Sequence, residues 1–154
     1  DIWGLKYDNR MAEVIAKSGL PCCLMHNRKE PDYTDFIADF LKDMQETIDI
    51  AKKAGIADEN IILDPGVGFG KTYENNLEII NKLECMHVLG YPILLGTSRK
   101  SVIGLTLDLP ADQRMEGTVA TTVIGVMKGV AFVRVHDVKE NYRALKMTEA
   151  ILGR

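Results

Sequence analysis

Four groups of polar side chains, each directly after a run of apolar residues, contain the residue types that could do chemistry in this chain. They are Met25-His26, Asp64, the run from Ser98 to Ser101 and the pair Arg134 and His136. A carboxylate, several cations and a thioether together could bind a polar heterocycle beside an oxyanion. Residues 134 and 136 are two apart in a predicted strand, so both side chains point the same way, as a receptor for phosphate or pyrophosphate requires.

The central stretch is residues 61–71, where Ile-Ile-Leu predicts a buried parallel strand that ends at Asp64 and leads into a glycine-rich turn. A carboxylate at the end of such a strand lies where α/β proteins bind ligands. The alternative is that Asp64 only stabilises its own turn. A P-loop is excluded because Pro65 replaces its first glycine, and a dinucleotide fingerprint is excluded because Lys71 replaces its third. We therefore expect the glycines to let the backbone turn tightly against a flat ligand or under a lid.

The elements that must position these groups follow a repeat of strand, loop and helix. The pattern predicts strands at 21–25, 61–63, 92–95 and 132–135, helices at 9–17, 32–54, 73–83, 114–128 and 137–152, and a loop from 96 to 110. Asp137 and Glu140 have the spacing of a capping box. Right-handed crossovers make the sheet parallel, so all four polar groups fall at one edge. The fold class is α/β, with four units that form half of a (β/α)8 (TIM) barrel or a small open sheet.

The composition excludes several classes of protein. The chain has 154 residues, 46% of them hydrophobic and 27% charged, with a net charge of -3. This balance predicts one globular domain and no nucleic-acid partner, because a duplex binder concentrates lysine and arginine on one face. We expect no membrane partner, since no apolar run is long enough to span a bilayer and no signal peptide is recognised. Three cysteines without metal spacing indicate a reducing cytoplasm.

Three motifs, in this order and at these strand ends, carry a resemblance to a known family. Asp64-Pro-Gly-x-Gly-Phe-Gly-Lys71, Gly96-x-Ser-Arg-Lys-Ser101 and Arg134-x-His-Asp-Val138, preceded by Met25-His26, resemble dihydropteroate synthase of folate biosynthesis. The resemblance extends over the whole chain. It implies a (β/α)8 transferase that condenses p-aminobenzoate with 6-hydroxymethyl-7,8-dihydropterin pyrophosphate to give 7,8-dihydropteroate and pyrophosphate. It also implies displacement at the pterin methylene, with carbon–oxygen cleavage ahead of nitrogen attack.

The resemblance assigns roles to individual positions. It implies that the pterin is bound by Asp64, Lys100, Met25, Gly96 and Ile2, p-aminobenzoate by Phe69 and Ser101, and pyrophosphate by Arg134 and His136, with Lys100, Arg134 and His136 as catalytic residues. It implies Mg²⁺ on the pyrophosphate, whose asparagine ligand is not in this chain, so no metal ligand is assigned here. It further implies that the enzyme is a homodimer whose only other partners are its small-molecule substrates.

The resemblance also bears on completeness. We expect residues 1–154 to be a single pterin-binding domain that is incomplete at its N-terminal side. We expect the isolated chain either to self-associate or to be loosely packed, and to have negligible synthase activity. Two alternatives are a pterin-binding domain of a corrinoid methyltransferase and an inactive half-barrel. The cations of 98–101 and 134–136 favour the synthase, because a methyltransferase has no pyrophosphate to hold.

Overall fold

The computed structural model describes residues 1–154, in which parallel strands alternate with helices. The strands are β1 (Cys22–Met25), β2 (Ile61–Asp64), β3 (Leu94–Leu95) and β4 (Phe132–Val133). The helices are α1 (Met11–Ser18), α2 (Phe36–Ala54), α3 (Tyr73–Asn81), α4 (Ser101–Leu107), α5 (Met115–Met127) and α6 (Val138–Leu152). Short 3-10 helices lie at Asp58–Asn60, Leu83–Leu89 and Ala111–Gln113. None of the helices combines the length and apolar composition needed to cross a bilayer.

The strands are neighbours in the order in which they occur in the chain. β1 pairs with β2 in parallel, with Met25 opposite Asp64, and β3 pairs with β4 in parallel. A parallel bridge between Leu63 and Ile93 joins the two pairs. Sequential parallel neighbours joined by helices are the arrangement of a (β/α) barrel, so the predicted fold class is confirmed. β3 and β4 are shorter than the sequence predicts.

The core lies between the sheet and the helices that cover one of its faces. Alternate strand residues turn to this face and are buried, among them Leu24, Leu63 and Leu95, and they belong to one apolar core with Phe40 and Met44 of helix α2. Helix α2 begins where Asp35 accepts a hydrogen bond of 3.1 Å from the Ala38 N–H and ends at Gly55, whose φ is 89°. The opposite face of the sheet has no helix over it, and Phe132 on that face is 48% exposed.

Two local predictions are wrong. Residues 101–107 form helix α4 where the sequence predicts a loop, because Val102 and Ile103 are buried and this tertiary packing compensates for the weak helix propensity of a segment rich in β-branched residues and glycine. Asp137 is the N-cap of α6 but makes no capping hydrogen bond. Its carboxylate instead forms an ion pair of 2.7 Å with Arg99.

Candidate active site

The four polar groups converge at the carboxyl edge of the sheet, as predicted. Met25 and Asp64 are partners in the register of β1 and β2. The Arg134 N–H donates a hydrogen bond of 2.9 Å to the carbonyl of Leu95, which places the ends of β3 and β4 side by side. A Cβ built on Gly96 would lie 3.8 Å from Asp64 Oδ2, so Gly96 borders the carboxylate.

Asp64 has one engaged and one free carboxylate oxygen. Oδ1 accepts a hydrogen bond of 2.7 Å from the Gly66 N–H, whereas Oδ2 accepts none within the chain. Burial raises the pKa of the Asp64 carboxyl, against the opposing effects of the Gly66 N–H and the Lys100 charge. The turn-stabilising interpretation is therefore correct for one oxygen, and the second oxygen is available to a ligand that carries N–H groups.

Lys100 connects the β3 loop to the loop after β2. Its Nζ donates to the carbonyl of Val67 and lies 4.8 Å from the centroid of the Phe69 ring. Burial lowers the pKa of Lys100, and the nearby Asp64 carboxylate opposes that shift. The predicted pterin and p-aminobenzoate groups thus meet at this lysine. Ser101 follows as the exposed first residue of α4.

The backbone that places Lys100 is held in a rare conformation. Arg99 has a φ of 59° although it is not glycine. Helix α5 and its N-cap hold this residue from both sides: the Arg99 N–H donates to Thr118 Oγ1 at 3.1 Å, and Arg114 Nη1 donates to the Arg99 carbonyl at 2.9 Å. Such backbone strain persists only where the surroundings fix it. Neither Thr118 nor Arg114 was singled out by the sequence.

His136 and Arg134 lie at the end of β4. Ser98, which is buried, accepts a hydrogen bond of 3.1 Å from the His136 N–H, and its hydroxyl lies 2.8 Å from Nδ1 of the ring. The Ser98 hydroxyl thus holds the His136 ring from its Nδ1 side, and Nε2 makes no hydrogen bond within the chain. The guanidinium of Arg134 is exposed and makes no hydrogen bond or ion pair within the chain. Burial raises the pKa of Asp64, and the Arg134 charge opposes this rise; burial lowers the pKa of Lys100, and the Arg134 charge adds to this decrease. Arg134 therefore faces the same site.

Met25 and Ile2 border this edge from the side of β1. Met25 is buried, and its Cγ would lie 3.3 Å from a Cβ built on Gly66. The carbonyl of Asp1 accepts from the Met25 N–H at 3.0 Å, and the carbonyl of Ile2 accepts from Asn27 Nδ2 at 3.1 Å. The exposed Ile2 side chain is therefore next to the end of β1, and the structure brings all nine predicted site residues to one edge.

The glycines of the turn after β2 let the backbone pass close to a neighbouring loop. Gly66 has a φ of 66°, and a Cβ there would lie 1.9 Å from the carbonyl oxygen of His26. A Cβ on Gly70 would lie 2.4 Å from the carbonyl oxygen of Arg28. These glycines thus allow the expected tight turn, which lies against the backbone of the loop after β1, and their approach to a ligand stays a prediction. Gly68 faces the aliphatic part of Lys100, with 3.3 Å from its built Cβ to Lys100 Cδ.

A buried polar network beneath this turn was missed by the sequence analysis. His26, 2% exposed, places Nε2 3.0 Å from Asp43 Oδ2 and Nδ1 2.7 Å from Lys71 Nζ. Burial lowers the pKa of His26 to about 4 and that of Lys71 to about 7. One sequence signal could have indicated this network. Lys71 lies within a glycine-rich turn, where no solvated helix face is available to a lysine side chain.

The residues present do not fit a resident magnesium site. Magnesium prefers carboxylate and carbonyl oxygens. No group of three or more histidine, cysteine, aspartate or glutamate side chains in the chain could hold a metal ion. The groups around the predicted pyrophosphate position are a guanidinium, an imidazole and a hydroxyl, which are donors to an anion. The chemistry below is derived from the chain's own residues.

The fold and the site together define a class: α/β-barrel proteins that bind ligands at the carboxyl ends of parallel strands, here with an acid and several cations. Comparison with known families is more specific, because the family described as pterin binding enzyme matches residues 1–136. The chain belongs to the pterin binding enzyme family.

Similar proteins agree with this assignment. The chain is 64% identical to a dihydropteroate synthase of Clostridium beijerinckii and 53% identical to one of Bacillus subtilis, over 100% of its own length in both cases. It covers 58% and 54% of those relatives, so it spans about half of their length. A crystal structure of dihydropteroate synthase from Clostridium difficile, obtained in the presence of pteroic acid, matches with a TM-score of 0.97 and 48% identity. That match covers 100% of this chain and 59% of the other.

A second crystal structure, of a Yersinia pestis enzyme with a pterin–sulfa conjugate, matches with a TM-score of 0.95 and 41% identity, over 100% of this chain and 60% of that one.

Proposed function

We propose that this chain provides the pterin, p-aminobenzoate and pyrophosphate contacts of a dihydropteroate synthase. The observation that supports this most is the combination of a half-buried carboxylate with one free oxygen at the end of β2 and an unpaired guanidinium at the end of β4. These two charges suit opposite ends of one substrate, a heterocycle with N–H donors that carries a pyrophosphate. The similarity to synthases along the whole chain supports the same reaction.

Asp64 Oδ2 is the proposed acceptor for the donor edge of the aminopyrimidinone. Taking a carboxylate out of water is costly unless it is hydrogen-bonded, and the pterin offers adjacent N–H groups that compensate this cost. Lys100 contacts the same ring, and Met25, Gly96 and Ile2 form the walls of the pterin subsite. This arrangement assigns pterin affinity to Asp64.

The p-aminobenzoate subsite is proposed at Phe69 and Ser101, on the other side of Lys100. The Phe69 ring already packs near the Lys100 ammonium, and it offers an aromatic surface to a second ring. The hydroxyl of Ser101 can donate a hydrogen bond to a carboxylate. The amine of the bound ring would then be directed toward the pterin methylene.

In the proposed reaction the bond between the pterin methylene and the pyrophosphate oxygen breaks, the amine nitrogen forms the new bond to that carbon, and the nitrogen then releases one proton to solvent. Negative charge develops on the departing pyrophosphate, and Arg134 together with His136 stabilises it. The Ser98 hydroxyl holds the imidazole in place, so these donors need little reorganisation when the charge develops.

A methyltransferase domain of the same family is the alternative, and calorimetry separates the two. The synthase requires that the chain's natural protein bind both a pterin and pyrophosphate, and that Arg134→Gln weaken pyrophosphate about tenfold or more while leaving the pterin unaffected. Arg143→Gln, an exposed position on α6, is the matched control. Tight binding of methyltetrahydrofolate without pyrophosphate binding would support the methyltransferase instead.

We further propose a cytoplasmic homodimer. An apolar groove of about 700 Å³ lies between α3, α4 and α5, lined in part by Leu77, Ile103, Leu107, Ile124 and Met127. An apolar surface of this kind favours contact with a second copy. Light scattering should give a dimer that Ile124→Glu dissociates and Val14→Glu on α1 does not. The three cysteines are free thiols, as suits a reducing compartment.

A further inference from the structure

The turn after β2, residues 65–71, lies on a buried polar network that no predicted role uses. We propose that Lys71 is a positioning residue that sets the aromatic-amine subsite, because its protonated side chain donates hydrogen bonds to the carbonyls of Gly66 and Phe69 and so holds the turn that carries the Phe69 ring. His26 and Asp43 hold the lysine in turn. This inference rests on the proposed function, which places Phe69 in the p-aminobenzoate subsite. It assigns a role to Lys71, for which neither the sequence motifs nor the similar proteins give one.

Each donor of the Lys71 ammonium has an acceptor. Nζ lies 2.7 Å from His26 Nδ1, 3.1 Å from the carbonyl oxygen of Gly66 and 3.1 Å from that of Phe69. An ammonium has three N–H donors and no acceptor, so the coordination is complete only when the lysine is protonated. The Phe69 N–H also donates to the Gly66 carbonyl at 3.0 Å. The lysine thus contacts both ends of the short turn that carries the phenyl ring.

The histidine fixes where the lysine lies. Because Nδ1 accepts from Lys71, the ring proton is on Nε2, which donates to Asp43 Oδ2 at 3.0 Å. Asp43 also accepts two hydrogen bonds from Arg28, of 2.6 and 3.1 Å. These contacts continue from helix α2 into the turn, and Tyr33 adds a hydrogen bond of 2.6 Å from its hydroxyl to the Gly70 carbonyl. The network is a support that extends from helix α2 to the turn that carries Phe69.

The network acts on the site without touching a ligand. His26 is 2% exposed, so it has no access to a substrate. The turn that it supports carries Phe69 and receives Lys100 at the Val67 carbonyl. A shift of this turn would therefore move the aromatic surface more than the Asp64 carboxylate, because Asp64 belongs to β2 and contacts the turn only through the hydrogen bond from the Gly66 N–H to Oδ1. The expected consequence is a change in aromatic-amine affinity with little change in pterin affinity.

The protonation of the Lys71 amine should make the hold on the turn depend on pH. The charged or titratable groups that face Lys71 are Asp64 from β2, Lys100 from the β3 loop, Asp43 from α2, and Arg28 and His26 from the loop after β1. Burial lowers the pKa of Lys71 from 10.5 to about 7. The neutral amine has two donors for three acceptors, so the turn is held less firmly above that pH.

Stability must change in the opposite direction. Between pH 7 and 10.5 the unfolded chain binds more protons at this lysine than the folded chain does. The free energy of unfolding therefore rises with pH over this window. A residue with only a structural role would improve stability and substrate affinity together, whereas Lys71 should improve one as it weakens the other.

The test is steady-state kinetics on the chain's natural protein, with the aromatic amine varied at saturating pterin pyrophosphate across the pH range around 7. For the unaltered protein we expect KM for the amine to rise with pH while kcat changes less. Lys71→Met should raise that KM about tenfold, as loss of one or more charged hydrogen bonds predicts, and should remove its pH dependence. Lys82→Met, in an exposed ion pair with Glu78, is the matched control.

Two further variants keep the inference open to refutation if Lys71→Met does not fold. His26→Gln retains one donor and one acceptor and should keep KM within about twofold, whereas His26→Leu should resemble Lys71→Met. A similar KM in His26→Leu and the unaltered protein would overturn the inference. Hydrogen exchange of the Phe69 amide, measured below and above pH 7 and corrected for intrinsic rate, needs no turnover. Loss of protection at the higher pH supports the inference even if the synthase activity fails, and unchanged protection overturns it.

Discussion

The exchange of Asp64 for asparagine separates the turn contact of this side chain, to the Gly66 N–H, from its proposed contact with the pterin. The amide oxygen of asparagine can take the place of Oδ1 and accept from the Gly66 N–H, a hydrogen bond of 2.7 Å in the structure. The amide NH₂ then occupies the position of Oδ2 and presents donors to the donor edge of the pterin. The turn is retained, and the ligand contact becomes a repulsion between like donors.

The magnitude follows from the contact that is lost. A hydrogen bond to a charged group contributes about 1.5–3 kcal/mol, and each 1.4 kcal/mol or so is a tenfold change in affinity. We therefore expect titration calorimetry to show pterin binding weakened by about 10- to 150-fold, with pyrophosphate binding changed by less than about twofold. The melting temperature should not fall, because burial raises the pKa of the Asp64 carboxyl and its charged form is already disfavoured in the fold.

Asp112→Asn, at an exposed position outside the site, is the control for the loss of one negative charge. If Asp64→Asn weakened pterin and pyrophosphate equally, or left both unchanged, the assignment of Asp64 to the pterin would be refuted.

Three other predictions test the structure around the site. Gly66→Ala should lower the free energy of unfolding in urea by about 2 kcal/mol or more. Gly90 has a φ of 81° and no atom within 4 Å of its built Cβ, so Gly90→Ala should lower this free energy by about 1 kcal/mol. Equal losses would contradict the close approach of Gly66 to His26. Burial lowers the pKa of His26 from 6.5 to about 4. Between these two pH values the unfolded chain binds more protons than the folded chain, so the urea midpoint of unfolding should fall as the pH falls through this range. His26→Gln should flatten this dependence. The 154-residue polypeptide expressed alone should self-associate in light scattering and form no dihydropteroate, because Phe132, 48% exposed, lies on an uncovered sheet face; a monodisperse active monomer would contradict this.

The strands and the edge where the polar groups meet could be predicted because their signals are local. Ile61 to Leu63 is an uninterrupted apolar run before Asp64, and a parallel sheet brings every strand end to the same edge. Helix α4 could not be predicted, because Ser-Val-Ile-Gly-Leu-Thr-Leu has weak helix propensity and depends on burial of Val102 and Ile103.

The support beneath the site could not be predicted because its members are far apart in the chain. Asp43 is 17 residues from His26 and Lys71 is 45 residues from it. Asp43 lies on a helix among the exposed polar residues Lys42, Gln45 and Glu46, so nothing in the local sequence marks it as half-buried. The glycines of the turn after β2 indicate that another group lies close to the backbone there, but only the structure shows that this group is the backbone of residues 26–28. The ligand roles of the nine site residues stay predictions.

The most direct test of the proposed synthase reaction is the joint formation of its two products. The chain's natural protein is incubated with 6-hydroxymethyl-7,8-dihydropterin pyrophosphate and p-aminobenzoate, and dihydropteroate and pyrophosphate are measured in the same sample. The proposal predicts that both form in equal amounts, that neither forms without p-aminobenzoate, and that Arg134→Gln slows both equally. Pterin binding without formation of either product, or product formation unaffected by Arg134→Gln, would contradict it.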